Sequence, residues 1–358
     1  MHHYTLILLF FISNAIHAQD TVPKIPKWSF NGYVKLVETI EFDQINQTNT
    51  NGHLIHNRLN LKWKPNSATY FVGELRNRIL FGEAGSVNDK PVFKSEIERL
   101  YTDIQVDKWN LRLGRQRVNW GIATIWNPND IFNAYNFLDV DYEERPGSDA
   151  IKLKYNFSSF AHLELVHSGF GKNQISAAKY FINKGGYDFQ FIAGNYKGDP
   201  TIGTGWAGNM KDAGFKGEIQ YYTNQNDALK QLNLTIGFDY MFKKGWYLNT
   251  GFLYNSQGLN EKLQANQYLN LQLSSKNLMP TRHNMLIMLQ KDLNPLSSFG
   301  LSVIYAPNVD LLLLMPSFKF NMVQDLDADI IWQSFYINRA SKFQSLNSLG
   351  FFRLRWSF

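Results

Sequence analysis

From Trp28 to Phe358 the chain repeats one unit, a short segment in which apolar and polar side chains alternate, followed by a turn. Alternation gives a strand two unlike faces, and it cannot give an amphipathic helix, whose apolar positions recur every three to four residues. Leu59, Leu61 and Trp63 interleave with Arg58, Asn60 and Lys62, and Arg99, Tyr101, Asp103 and Gln105 oppose Leu100, Thr102, Ile104 and Val106. Eighteen such segments are expected, at 28–42, 54–65, 68–82, 96–107, 109–117, 149–157, 160–169, 175–183, 187–196, 201–210, 213–223, 232–242, 246–255, 282–292, 297–306, 311–321, 325–337 and 348–358. Tight links follow the even segments, as at Pro65-Asn66-Ser67 or Lys243-Lys244-Gly245. Long links follow many odd ones, at 43–53, 83–95, 118–148, 256–281 and 338–347. Sorting of this kind belongs to a membrane barrel, with short turns on the periplasmic side and long loops outside. The expected fold is all-β, a transmembrane antiparallel β-barrel of about 18 strands, with 16 as the alternative.

Composition agrees with one large apolar-skinned unit. Of 358 residues, 44% are hydrophobic and 15% aromatic, which excludes a disordered chain. The absence of cysteine excludes disulfides, thiolate metal sites and cysteine nucleophiles. A net charge of +6 is too small at this length to imply nucleic acid.

The apolar run Tyr4-Thr5-Leu6-Ile7-Leu8-Leu9-Phe10-Phe11-Ile12 is too short for a spanning helix and suits a secretory leader, with cleavage expected after Ala18. No later apolar window is long enough for such a helix. The expected organisation is a leader at 1–18, a short periplasmic segment at 19–27 and the barrel at 28–358, in the outer membrane of a Gram-negative-type bacterium. Trp28, Phe30, Trp63, Trp109, Trp246, Tyr247, Trp356 and Phe358 cluster at the expected periplasmic rim, where aromatic rings meet lipid headgroups. The run Gly350-Phe351-Phe352-Arg353-Leu354-Arg355-Trp356-Ser357-Phe358 resembles the C-terminal signal read by the barrel-assembly machinery. Lipid and that machinery are the expected partners of the shell.

Parity also assigns the lumen. Arg58, Arg76, Arg78, Arg99, Arg112, Lys152 and Lys154 take the polar face with Lys62, Glu74, Asp103 and Gln105, giving a locally basic wall. Arg115 and Arg117 share the parity of Leu111 and Leu113, so either they point outward at a rim or a bulge at Gly114 turns them inward; the bulge is preferred, because an arginine facing lipid costs roughly 2–4 kcal/mol at the midplane. Such a wall can select anions, or its charges can pair with one another and merely solvate the interior. Segment 118–148 holds Trp120, Trp126, Phe132, Tyr135, Phe137 and Tyr142, too many apolar groups for a loop in water. It is expected to fold into the barrel as a constriction. Asn127, Asp130, Asp139, Asp141, Glu143, Glu144 and Arg145 would then face the basic wall and set up a transverse field that orients polar solutes. A loop that plugs the barrel is the alternative.

Leu113-Gly114-Arg115-Gln116-Arg117-Val118-Asn119-Trp120-Gly121, followed by Trp126-Asn127-Pro128-Asn129-Asp130, resembles a stretch of the alginate-export-like and related porin-like outer-membrane proteins. The resemblance implies a passive pore of about eighteen strands with an arginine-rich lumen, for anionic polysaccharide or small polar solutes, with Arg112, Arg115 and Arg117 as lumenal candidates. An outer-membrane hydrolase would need Ser/His/Asn or Asp/His sets at one rim. His53, His56, His162, His167 and His283 do not form one by spacing, and no metal or cofactor motif is present. No enzyme activity and no cofactor are expected. A plugged structural or surface-interaction barrel is the alternative function.

Overall fold

The computed structural model describes residues 27–44, 46–83, 86, 90–133, 136, 138–141, 145–223, 230–261, 273–339 and 342–358. The expected leader, its cleavage site and residues 19–26 lie outside the described residues, as do Tyr135, Phe137, Tyr142, Glu143 and Glu144. The strands are β1 (Trp28–Asp43), β2 (Thr48–Trp63), β3 (Thr69–Phe81), β4 (Val92–Val106), β5 (Trp109–Gln116), β6 (Ser148–Ser158), β7 (Ala161–Ser168), β8 (Ile175–Lys184), β9 (Tyr187–Tyr196), β10 (Asp199–Met210), β11 (Ala213–Tyr222), β12 (Gln231–Met241), β13 (Trp246–Asn255), β14 (His283–Asn294), β15 (Ser297–Ala306), β16 (Leu311–Val323), β17 (Leu326–Arg339) and β18 (Lys342–Ser357). Each pairs antiparallel with its chain neighbours, and β18 returns to β1, closing the 18-stranded sheet into a ring. Closure removes the edges that an open sheet would leave unpaired in lipid. At the seam Phe358 and Gly32 exchange both backbone hydrogen bonds at 3.0 Å.

The outward parity carries the exposed apolar side chains, among them Leu36, Ile151, Ile202, Ile287 and Ile330. A surface of this kind is suited to hydrocarbon. Trp28, Trp63 and Phe71 stack in series at its lower margin, and Trp109 leans on Tyr155. Trp356 and Phe30 flank Phe358. Of the aromatics expected in this girdle, Tyr247 differs, sharing the inward parity of buried Asn249.

Two expected loops are largely strand. Residues 43–53 and 338–347 read as links because they are polar on both faces, yet β1–β2 and β17–β18 pair through most of them, leaving only 44–47 and 340–341 between the strands. Strands leaving the bilayer enter water, where neither face need be apolar. At about 3.3 Å per residue, the 16 residues of β1, β2 and β18 far exceed an apolar band of about 25 Å. The 8 residues of β5 and β7 barely cross it. The barrel therefore has a tall side around β17–β4, and its strands are shortest at β5 and β7, within a low arc that runs from β5 to β15.

The alternation breaks around Ile97 for a local reason. The β3–β4 register jumps from Glu74↔Arg99 to Leu75↔Ile97, so Glu98 is an extra residue and both Glu98 and Arg99 turn into the lumen, 5% exposed.

Candidate functional site

The interior is filled by chain that the barrel itself supplies. The described residues of the 117–147 link leave β5 and fold inward. Trp120, Ile131 and Phe132 are buried with Val166, Ala177 and Ile192 of β7–β9, while Trp126 joins a second cluster with Leu253, Leu286 and Ile304. Polar anchors fix the same stretch. Trp120 Nε1 donates to Glu164 Oε2 at 2.7 Å, Gln190 Nε2 donates to the Trp120 carbonyl at 2.7 Å, and Asn129 Nδ2 donates to the Thr204 carbonyl at 2.9 Å.

The densest anchor is Glu218, fully buried on the inner face of β11. Its Oε1 accepts from the backbone N–H groups of Ile122 at 2.5 Å and Ala123 at 2.7 Å, and its Oε2 accepts from Asn129 N at 2.8 Å. One carboxylate thus satisfies three donors of a loop nearly ninety residues away. Room for the loop comes from β10, where Gly203 and Gly205 stand opposite Gln220 and Glu218. A Cβ on Gly205 would lie 2.9 Å from Ile122 Cδ1, and one on Gly203 would lie 2.9 Å from Asn129 Oδ1.

The second half of the loop reaches the opposite wall. Lys35, His56 and Arg78 are register partners across β1, β2 and β3, and Asp141 sits on this row. Lys35 Nζ donates to the Asp141 carbonyl at 2.7 Å and lies 3.0 Å from its carboxylate; His56 Nδ1 is 2.8 Å and Arg78 Nη1 3.7 Å away. Burial alone would raise the Asp141 carboxyl, but the hydrogen bond from His56 and the charge of Lys35 hold it well below the usual carboxylate range. Gln333 Nε2 donates to the Leu138 carbonyl at 3.0 Å, Arg353 to that of Val140, and Arg99 to that of Arg145 at 2.6 Å. The loop is therefore seated on β7–β11 and on β17–β4 at once, and crosses the lumen. Asp130 is buried against Arg145 of its own loop, and burial pushes its carboxyl up to about 6. Asp139 accepts from Asp141 N at 3.0 Å, and Asn127 lies over Gly121 with its Nδ2 donating to the Ile125 carbonyl at 3.0 Å.

A second infolding is absent from the sequence reading. In the 256–282 link, Leu278 and Met279 are buried against Trp126, and Ser275 Oγ donates to the carbonyls of Asp130 and Ile131 at 3.2 and 3.1 Å. Lys276 pairs with Asp199 beside the rings of Tyr196 and Tyr222. The only advance signal is the length of this link.

On the wall, charges pair extensively. Arg58 binds Glu74 and Glu98, Arg76 binds Glu96 and Glu98, and Arg78 approaches Glu96. Arg112 Nε is 2.6 Å from Asp103 and its guanidinium lies over Tyr101. Lys152 and Lys154 share the inward parity of buried Ala150 and form no ion pair among the described residues. Arg115 corrects the expected bulge: the β5 register is continuous on both sides, Gly114 stays in the ladder, and Arg115 keeps the outward parity. It is held by Asp149 through two hydrogen bonds of 2.7 Å, between exposed Leu100 and Ile151. A bidentate pair lowers the cost of an outward arginine near the end of a strand. Arg115→Ala should therefore leave ion selectivity unchanged while weakening the barrel, checked by reversal potential and thermal melting; a shifted potential would return Arg115 to the pathway. Arg117 lies beyond β5, exposed, with Nη2 3.2 Å from Asn119 Oδ1.

The histidines are dispersed. His56 serves the Asp141 row, His53 meets Glu38, His162 lies 3.4 Å from Glu164, and His167 and His283 hydrogen-bond Ser176 and Asn308. No group of three potential metal ligands occurs among the described residues.

No protein-family model matches the chain, and no curated protein matches it. Solved structures do. The outer membrane protein OprD from Pseudomonas aeruginosa superposes with a TM-score of 0.63 at 10% identity, over 93% of this chain and 94% of that one. Pseudomonas aeruginosa OccK5 (OpdH) gives 0.64 at 8% identity, over 92% and 98%. Acinetobacter baumannii OccAB4 gives 0.62 at 10% identity, over 93% and 99%. At such identities the likeness is one of fold: a closed antiparallel barrel shared with an outer membrane protein.

Proposed function

We propose that the protein is a passive, selective diffusion channel for small or oligomeric polar solutes in the outer membrane of a Gram-negative-type bacterium. The observation that carries this reading is a polar-walled closed barrel crossed by a loop seated on both walls, which narrows the path past charged side chains. Fold likeness to the outer membrane protein OprD supports the location. Residues 1–18 would be the cleaved leader, and the Phe358 strand would be presented to the assembly machinery.

Anionic or saccharide cargo is the finer part of the proposal. Pairing leaves much of the wall balanced, so the surplus positive charge falls to Lys152 and Lys154, with Arg112 and the Tyr70 and Tyr101 rings nearby as polarisable surfaces. The local resemblance to alginate-export-like proteins points to the same cargo class. Single-channel recording of the refolded protein under a salt gradient tests the channel; a correctly inserted barrel that passes no ions would instead favour the plugged structural barrel. The Lys152→Glu/Lys154→Glu variant should lower the anion-to-cation permeability ratio severalfold, and an unmoved reversal potential would remove both lysines from the path.

A further inference from the structure

Two grooves open on the outside of the barrel at its lower margin, and they differ in charge. One, about 500 Å³, is lined by Trp28, Leu61, Trp63, Phe71, Leu100 and Leu113 among others and has no charged residue. The other, about 600 Å³, is lined by Tyr240, Phe242, Lys243, Lys244, Trp246 and Leu289. Its two lysines occupy the β12–β13 turn, which is fixed by Gly245 N donating to the Phe242 carbonyl at 3.0 Å and Phe242 N donating to that of Trp246 at 2.8 Å. Gly245 takes φ +76°, a conformation that favours glycine, so the turn presents Lys243 and Lys244 side by side.

A third cation stands over Trp246, a residue of the groove lining. Lys291 of β14 is the register partner of Trp246, and its Nζ lies 4.9 Å over the Trp246 ring. No acidic residue lines the groove, and Lys243, Lys244 and Lys291 form no ion pair among the described residues. The other tight turns are unlike it: Pro65-Asn66-Ser67 and Asn294-Pro295-Leu296 contain no lysine, Lys184-Gly185-Gly186 has one, and Asp107-Lys108 and Lys211-Asp212 pair each lysine with an acid. Above the groove, exposed Phe238 and Ile287 continue an apolar track up the barrel.

We propose that this groove is a binding site for an anionic glycerophospholipid of the periplasmic leaflet, its phosphodiester among Lys243, Lys244 and Lys291 and an acyl chain along Leu289 and Ile287. Short turns of a membrane barrel lie at the periplasmic headgroup level, where basic residues attract anionic lipid and aromatic rings pack on the glycerol region. The uncharged groove provides the internal comparison, since it offers hydrocarbon contact without charge.

Native mass spectrometry of the full barrel, released from micelles doped with phosphatidylglycerol or with phosphatidylcholine at equal mole fraction, tests the assignment. The expected result is retention of phosphatidylglycerol severalfold above phosphatidylcholine, and loss of that preference in Lys243→Gln/Lys244→Gln/Lys291→Gln. Heat-modifiable electrophoretic mobility reports whether the variant barrel is intact; if the triple variant fails to fold, Lys243→Gln/Lys244→Gln, confined to an exposed turn, must lose at least part of the preference. Lys184→Gln/Lys211→Gln should change nothing. Equal retention of the two lipids, an undiminished preference in the turn variant, or an equal loss in the control variant would each overturn the site.

Discussion

Replacing residues 118–147 with a short Gly/Ser link will raise single-channel conductance severalfold, and Glu218→Ala alone will reproduce part of that rise. The loop crosses the lumen and is held at one end by a carboxylate that accepts three backbone N–H groups. A hydrogen bond of this kind contributes about 0.5–1.5 kcal/mol net, and a buried N–H left unpaired costs about 1–3 kcal/mol. Loss of one side chain therefore removes several kcal/mol from the seat of the loop, even after discounting for water that would enter the gap. Glu218→Gln keeps the volume but offers a single acceptor oxygen, so its conductance should fall between wild type and Glu218→Ala. Wild-type conductance in both the loop replacement and Glu218→Ala would put the crossing segment outside the conduction path.

The second large effect is on pH dependence. Asp130 is buried in the docked loop, where its carboxyl titrates at about 6 against an ordinary value of 3.8. The docked state thus binds the proton more tightly than an undocked loop would. Docking strengthens as pH falls from about 6 toward 4 and is weakest, and constant with respect to this group, above 6. The shift corresponds to roughly 2–3 kcal/mol at full effect. Asp141 at the far wall is held below the usual range and keeps its charge through this window, so that latch does not release. Open-state occupancy should fall as pH drops from 6.5 to 4.5, by about twentyfold in equilibrium terms. Asp130→Asn should lose the part of the response centred near pH 6; an unchanged pH response in that variant would assign the titration to another group.

Much of the shell is readable from period two alone, because lipid outside and water inside impose opposite demands on adjacent residues. The reading fails where that contrast ends. Beyond the bilayer both faces of β1–β2 and β17–β18 meet water, so Asn49, Asn51 and Asn347 look like loop while standing in paired strands. Inside, Trp120 and Trp126 betray their loop by being too apolar for solvent, whereas the 256–282 link hides Leu278 and Met279 in a polar stretch. Glu218 is one more inward acidic residue by parity; its role rests on a loop far off in sequence, and nothing local marks it. The cost of an isolated charge favours an inward Arg115, and Asp149 on the next strand changes that cost.

The unequal strand lengths also bear on how solute reaches the mouth. Around β17–β4 the wall stands well clear of the membrane, while around β5–β9 it ends near the headgroups, and the β5–β6 connection, which might have overhung that side, turns inward instead. The entrance is therefore oblique. A molecule sliding along the cell surface from the β5–β9 side meets no parapet, and one arriving from the other side meets a sheet of paired backbone. If the barrel conducts as proposed, capture is directional, and neighbouring proteins packed against the low side govern supply more than those packed against the high one.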